Sequence, residues 1–160
     1  MMGLDASQIE TSLSQFGGTK RRFSVEMCGQ NIFVDDYAHH PTEIKATLSA
    51  CMNVPHNKLW CLFQPHTYTR TKALFDEFVD ALTLPDHIIL ADIYAAREVN
   101  TLGISSKDVA DALKKTGADV YYFPTFEEIE NFCRENCKKG DLLITMGAGD
   151  VVNIGENLLK

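Results

Sequence analysis

Apolar positions along the chain follow two rhythms. Near the start, the β-rich runs 22–26 and 31–34 flank Gly29-Gln30, a pattern that predicts a hairpin. Ahead of them Ile9, Leu13 and Phe16 recur at helical spacing and stop at Gly17-Gly18, which predicts a short lead-in helix. Beyond Val34, helix-spaced segments at 41–52, 69–82, 105–115, 126–137 and about 151–159 alternate with short continuous apolar runs at 59–63, 87–91, 120–123 and 142–146. Strands apolar on both faces, each followed by a helix, belong in a sheet covered on both sides. The predicted fold class is α/β: Rossmann-like and doubly wound, with a mainly parallel sheet, helices on both faces and an antiparallel hairpin near the N-terminus. Strand order is not written in this pattern.

Composition narrows the function classes. With 160 residues, 45% hydrophobic and 23% charged, the chain has the makeup of one soluble domain. A net charge of -7 argues against a nucleic-acid partner, because the only dense basic cluster is the short Lys20-Arg21-Arg22. No segment approaches the roughly 18 continuous apolar residues of a membrane span, and no cationic stretch leads into an apolar core as in a signal peptide. Five cysteines, at 28, 51, 61, 133 and 137, form no CxxC pair. A reduced, cytoplasmic protein is expected. Cys133 and Cys137 supply two of the about four ligands a structural zinc needs, so no metal is expected there.

The residues with chemistry lie in loops that follow strands, where an open α/β sheet binds its ligands. They are Asp35-Asp36-Tyr37-Ala38-His39-His40-Pro41-Thr42-Glu43, Gln64-Pro65-His66-Thr67-Tyr68-Thr69-Arg70-Thr71, and Met146-Gly147-Ala148-Gly149-Asp150. Each has a structural alternative. The aspartates suit a turn cap, the His pair with Pro41 suits a helix start, Thr69 suits the N-cap of the next helix, and Gly147 and Gly149 suit a tight turn. Arg70 is less easily accounted for, since a cation in a first helical turn favours a nearby anion. A phosphate loop of the form GxxxxGK[ST], HExxH and GxSxG are all missing, and a plain oxidoreductase would need GxGxxG after the first strand.

Together these loops resemble the Mur ligases, cytoplasmic enzymes of peptidoglycan synthesis. The likeness runs from Gly17-Gly18-Thr19-Lys20-Arg21-Arg22-Phe23 to the TMGAGD segment, and the FQPHTYTRT loop is similar to the branch that adds L-alanine rather than the branch that reattaches recycled tripeptide. The resemblance implies a three-domain, ATP- and Mg2+-dependent ligase that couples L-alanine to UDP-N-acetylmuramate through an acyl phosphate. Residues 1–18 would be the junction and 19–160 the C-terminal, amino-acid-binding domain. Its partners would be the central and N-terminal domains of the same chain. Alone it would be inactive and hold no cofactor tightly. By position, Asp36 and Tyr37 would meet ATP, and Arg70 and His39 would act at the amino acid and acyl phosphate. His40, His66, Tyr68, Gly147 and Gly149 would line the mouth. Thr67, where the family often has Arg, receives no binding role. The competing reading is a free-standing nucleotide or amino-acid binding module.

Overall fold

The computed structural model describes Asp5, Glu10 and residues 19–28 and 31–160. Apart from Asp5 and Glu10, the predicted lead-in helix lies outside them, as does the Gly29-Gln30 turn.

Six strands form one sheet: β1 (Ser24–Cys28), β2 (Asn31–Asp36), β3 (Leu59–Phe63), β4 (His87–Leu90), β5 (Val120–Tyr122) and β6 (Leu142–Met146). Their order is β1-β2-β6-β3-β4-β5. β1 pairs antiparallel with β2, and every other neighbour is parallel. The last strand thus inserts between β2 and β3, so the chain runs outward through β3, β4 and β5 and returns to the centre. The helices are α1 (Pro41–Cys51), α2 (Tyr68–Ala73), α3 (Phe75–Ala81), α4 (Ser106–Lys115), α5 (Phe126–Asn136) and α6 (Val152–Leu158).

Period-2 alternation along the strands builds two cores. Val34, Cys61, Phe63, Ile88, Leu90, Ile144 and Met146 face one side and meet Ile44 and Leu48 of α1, Phe78 of α3 and Leu113 of α4. Phe33, Trp60, Leu62, Ile89 and Leu143 face the other and meet Ile129 of α5 and Ile154 of α6. Both faces are covered, as the fold-class expectation requires. Among the described residues no helix is long and apolar enough to cross a membrane.

Capping chemistry sets the helix starts. Ser105 with Asp108, and Thr125 with Glu128, close capping boxes at α4 and α5. His40 does the same for α1, its Nδ1 accepting from Thr42 N while Glu43 reaches back. Two expectations need correction. The helix predicted over 69–82 is broken at Leu74, whose backbone at φ -114 and ψ 29 leaves the helical region, giving α2 and α3. Its N-cap is Thr67, not Thr69: Thr67 Oγ1 accepts from Arg70 N, and Thr69 turns its hydroxyl to Glu98.

The single tryptophan, Trp60, is buried and its indole N–H donates to Asp141 at 3.0 Å, while the same carboxylate oxygen accepts from Lys138 N at 2.8 Å. Asp141→Ala strands both donors and should cost about 1–3 kcal/mol. Urea unfolding followed by Trp60 fluorescence measures it; an unchanged midpoint would show that water replaces the carboxylate.

Candidate functional site

Because β6 lies between β2 and β3, the loops leaving the carboxyl ends of all three strands converge. The β2 loop opens with two buried carboxylates. Asp36 accepts Phe23 N and Ala38 N, one on each oxygen, both at 2.7 Å. Asp35 points to the opposite face of the sheet, where Thr145 donates its hydroxyl at 2.7 Å and Arg21 Nε donates at 3.2 Å. Burial pushes the Asp35 carboxyl above its ordinary value, against the opposing pull of Thr145 and Arg21.

Arg21 then reaches across the β6 loop. Its Nη2 donates to Gly147 O at 2.6 Å and its Nη1 to Gly149 O at 3.1 Å. Its guanidinium also lies 5.0 Å from the centre of the Tyr37 ring, and its carbonyl accepts from Tyr37 N. One arginine thus ties β2, the Tyr37 loop and the glycine loop together. Arg22 approaches the same ring, at 5.9 Å.

From Tyr37 a row of rings crosses the site. Tyr37 meets His39 edge-on at 5.4 Å, His39 meets His66 at 5.8 Å, and His66 stacks with Tyr94 at 5.7 Å. Arg70 stands at the far end, its Nη1 3.3 Å from His66 Nδ1. Burial, then the charge of Arg70 and the neighbouring His39, lower the pKa of His66 below the usual imidazole value. His39 is oriented from behind, with Nδ1 2.9 Å from Tyr37 O and 3.6 Å from the Glu43 carboxylate.

The fourth wall went unread in the sequence. The long segment between β4 and α4 places Tyr94 on His66, and its backbone zips to the β3 loop through Thr67 N to Tyr94 O and Tyr94 N to Pro65 O. Glu98 from the same segment accepts from Thr69 N at 2.9 Å and from the Thr69 hydroxyl, capping the start of α2. A carboxylate thus stands at the start of α2, bonded to Thr69, the residue before Arg70. These hydrogen bonds hold the Glu98 carboxyl below its ordinary value. Nothing in a segment reading Asp92-Ile93-Tyr94-Ala95-Ala96-Arg97-Glu98 marks it as a site wall, because its contacts are long-range and carry no periodicity.

The sequence-predicted residues therefore divide. Tyr37, His39, His66 and Arg70 come together in one row. Asp36 lies beneath it with its oxygens on backbone amides. His40 sits outside as a helix cap. Tyr68 faces a separate pocket with Asp92, Asn100, Ser105 and Tyr122. Gly147 and Gly149 make room: Gly147 has φ +149, and an added Cβ would stand 2.8 Å from Gln64 O, while one on Gly149 would stand 2.3 Å from Gln64 Oε1. The buried Gln64 uses that closeness, donating to Asp150 at 2.8 Å and accepting from Val151 N at 3.1 Å.

Comparison with known proteins adds relatives to this geometry. The sequence pattern of the Mur ligase glutamate ligase domain matches residues 21–149. The UDP-N-acetylmuramate–L-alanine ligase of Agathobacter rectalis is 58% identical over 160 residues, which is 99% of this chain and 35% of that protein. The chain therefore spans about a third of the length of the curated relatives it matches. The crystal structure of the UDP-N-acetylmuramate-alanine ligase of Thermotoga maritima superposes with a TM-score of 0.75 at 26% identity, covering 98% of this chain and 33% of that one. A murein peptide ligase of Psychrobacter arcticus has the same fold, with a TM-score of 0.77 at 24% identity over 98% of this chain and 33% of its own.

Two outcomes follow from the packing and charge. Gly149→Ala forces Gln64 or Tyr94 to move, so it should cost more than about 1 kcal/mol in thermal or urea unfolding; a neutral change would mean the loop is free to shift. Protonating His66 is harder in the folded protein than in the unfolded chain. The wild type should therefore lose stability relative to His66→Gln as pH falls from about 7.5 through the ordinary imidazole value near 6.5 toward about 5.5. Parallel stability curves for the two proteins would contradict it.

Proposed function

The chain belongs to the Mur ligase family, as a glutamate ligase domain, and on that premise we propose that it is the amino-acid-binding part of an ATP-dependent ligase joining L-alanine to UDP-N-acetylmuramate in cytoplasmic peptidoglycan synthesis. Residues 19–160 are this C-terminal domain and 1–18 its junction with a central domain. The observation that supports the reading best is the meeting of the DDYAHHPTE and FQPHTYTRT loops in one row of rings closed by the Arg70 guanidinium.

The chemistry divides between domains. Among the described residues no three His, Cys, Asp or Glu side chains gather as a metal site, and the sequence holds no phosphate loop. Magnesium and the ATP phosphates are therefore assigned to the central domain. This domain supplies the nucleotide's edge and the amino acid's place. Each Asp36 oxygen keeps lone-pair capacity beyond its amide bond, enough to accept a ribose hydroxyl while fixing the loop that presents Tyr37. At the other end Arg70 offers paired donors to a carboxylate or an acyl phosphate, and His39 stands beside the incoming amine. ATP converts the muramyl carboxylate to an acyl phosphate, and the alanine amine displaces phosphate. Closure of this domain over the central one completes the site.

Phosphate release with UDP-N-acetylmuramate, L-alanine, ATP and magnesium tests the reading. Activity is expected in the full-length protein and not in this chain alone; a full-length protein inert to these substrates would refute the assignment. In the full-length protein Arg70→Ala should lower turnover at least about 100-fold, the order seen when one transition-state donor is lost. Its melting temperature should barely move, because Arg70 has His66 as its one side-chain partner among the described residues. Matched losses of stability and activity would reassign Arg70 to the fold.

A further inference from the structure

At the end of the sheet opposite the ring row, where β2 and β6 begin, a cavity of about 150 Å³ lies under the last turns of α5 and α6. Phe33, Leu143, Leu158 and Leu159 line it together with two thiols, Cys133 and Cys137. An engineered apolar cavity of about this volume holds a benzene ring. Both cysteines are free, Cys133 buried at 2% exposure beneath α5 and Cys137 half-buried. They stand one helical turn apart. Cys137 N donates to Cys133 O at 2.9 Å, and the Cys137 φ of -66 keeps its Cβ on the helical path although ψ 128 carries the chain away. Cβ atoms at this spacing are about 5–6 Å apart, whereas a disulfide needs about 3.5–4.5 Å. The two thiols share a hydrogen bond, so the sulfurs already turn toward each other. Such a pair is too wide for a direct S–S bond on an intact helical turn and suits a single bridging atom. It is also too small a ligand set for structural zinc, which takes about four. The bond from Cys137, together with burial, holds the Cys133 thiol far above its ordinary value, so it stays protonated. A centre that fits here takes two sulfurs and removes their protons itself.

We propose that Cys133 and Cys137 form a capture site for trivalent arsenicals that carry one small apolar group, with arsenic bridging the two sulfurs and the group lying in the cavity. In the step both S–H bonds break, two As–S bonds form, and the oxygen on arsenic leaves with the two protons as water. Arsenic stays trivalent and no oxidant or reductant is needed. Cys137, the more exposed thiol, reacts first, and Cys133 closes the ring from inside. The cavity walls then surround the apolar group, which leaves water for Phe33 and Leu143. Cys51 and Cys61 are buried in the core on the other face of the sheet and have no part in the site. The site lies at the far end of the strands from Arg70, apart from the ligase chemistry proposed above.

Phenylarsine oxide is the probe, followed by intact mass and peptide mapping. One equivalent should add per folded chain, with the far-ultraviolet circular dichroism unchanged. The adduct should survive excess 2-mercaptoethanol and be removed by 2,3-dimercaptopropanol, since only a dithiol matches two sulfurs held together. Cys137→Ser, at the exposed helix end, and Cys133→Ala, which keeps an apolar side chain in the core, should each weaken retention by about 10²–10⁴-fold, the usual gain of two linked contacts over one. Retention unchanged in either variant, release by the monothiol, or addition that proceeds only with loss of the folded signal would overturn the proposal. Proton NMR of the adduct reads the place of the ring. Nuclear Overhauser contacts from the phenyl protons to the Leu143 methyls and the Phe33 ring are expected; a phenyl group touching neither would overturn the cavity's part in the site.

Discussion

The Arg21 guanidinium is the contact on which the site depends. It has three protein acceptors and a ring face at once: Asp35 on β2, the carbonyls of Gly147 and Gly149 after β6, and Tyr37 after β2. A half-buried arginine so placed loses little by leaving water, because its donors are met in a fixed fork geometry. Without it, Gly147 and Gly149 would present carbonyls to the cleft, and the buried Asp35 would keep only the Thr145 hydroxyl against its desolvation. Arg21 has φ +59 and Phe23 has φ +49, so the backbone there adopts conformations that side-chain-bearing residues disfavour. The bonds made by Arg21, with the amide of Phe23 on Asp36, supply what holds that geometry.

The strand order makes that contact available. With β6 between β2 and β3, the glycine loop is flanked by the aspartate loop on one side and by Gln64 on the other. Gln64 must hydrogen-bond Val151 N and Asp150 through a space that only glycines at 147 and 149 leave open. The glycines are thus explained by backbone and side-chain crowding alone, and a role as a phosphate cradle is not needed to account for them.

Much of the fold was legible because its strongest signals are periodic. Strand β6 matched the apolar run 142–146 to the residue, and helix starts at Ser105 and Thr125 are marked by capping boxes. The break at Leu74 was not legible: Leu74, Phe78 and Leu82 keep helical spacing through it, so the pattern continues where the backbone does not. At the site, the two motif loops stood out through unusual residue types. The Tyr94–Glu98 wall did not, because a stacking partner and a helix cap arriving from some 30 residues away leave no local trace. Arg21 was visible only as part of a basic cluster, and its work inside the fold depends on tertiary neighbours.

Structural and functional readings of the same residue are not rivals here. Asp36, His39 and His66 are each fixed by the protein and keep some hydrogen-bonding capacity unspent: Asp36 binds one amide on each oxygen, His39 a carbonyl through Nδ1, His66 a guanidinium through Nδ1. Spending one end to fix the other is what preorganisation requires, since an imidazole free to rotate would present either nitrogen. On the proposed reading, the same economy explains why this domain would work against a second one. Its row of rings is open to water on the side away from the sheet, with Tyr94 37% exposed and the His39 side chain 24% exposed, so charges placed there are heavily screened. Orientation is built into this chain; in the ligase proposed above, the exclusion of water that gives orientation its energetic value would come from the central domain closing over it.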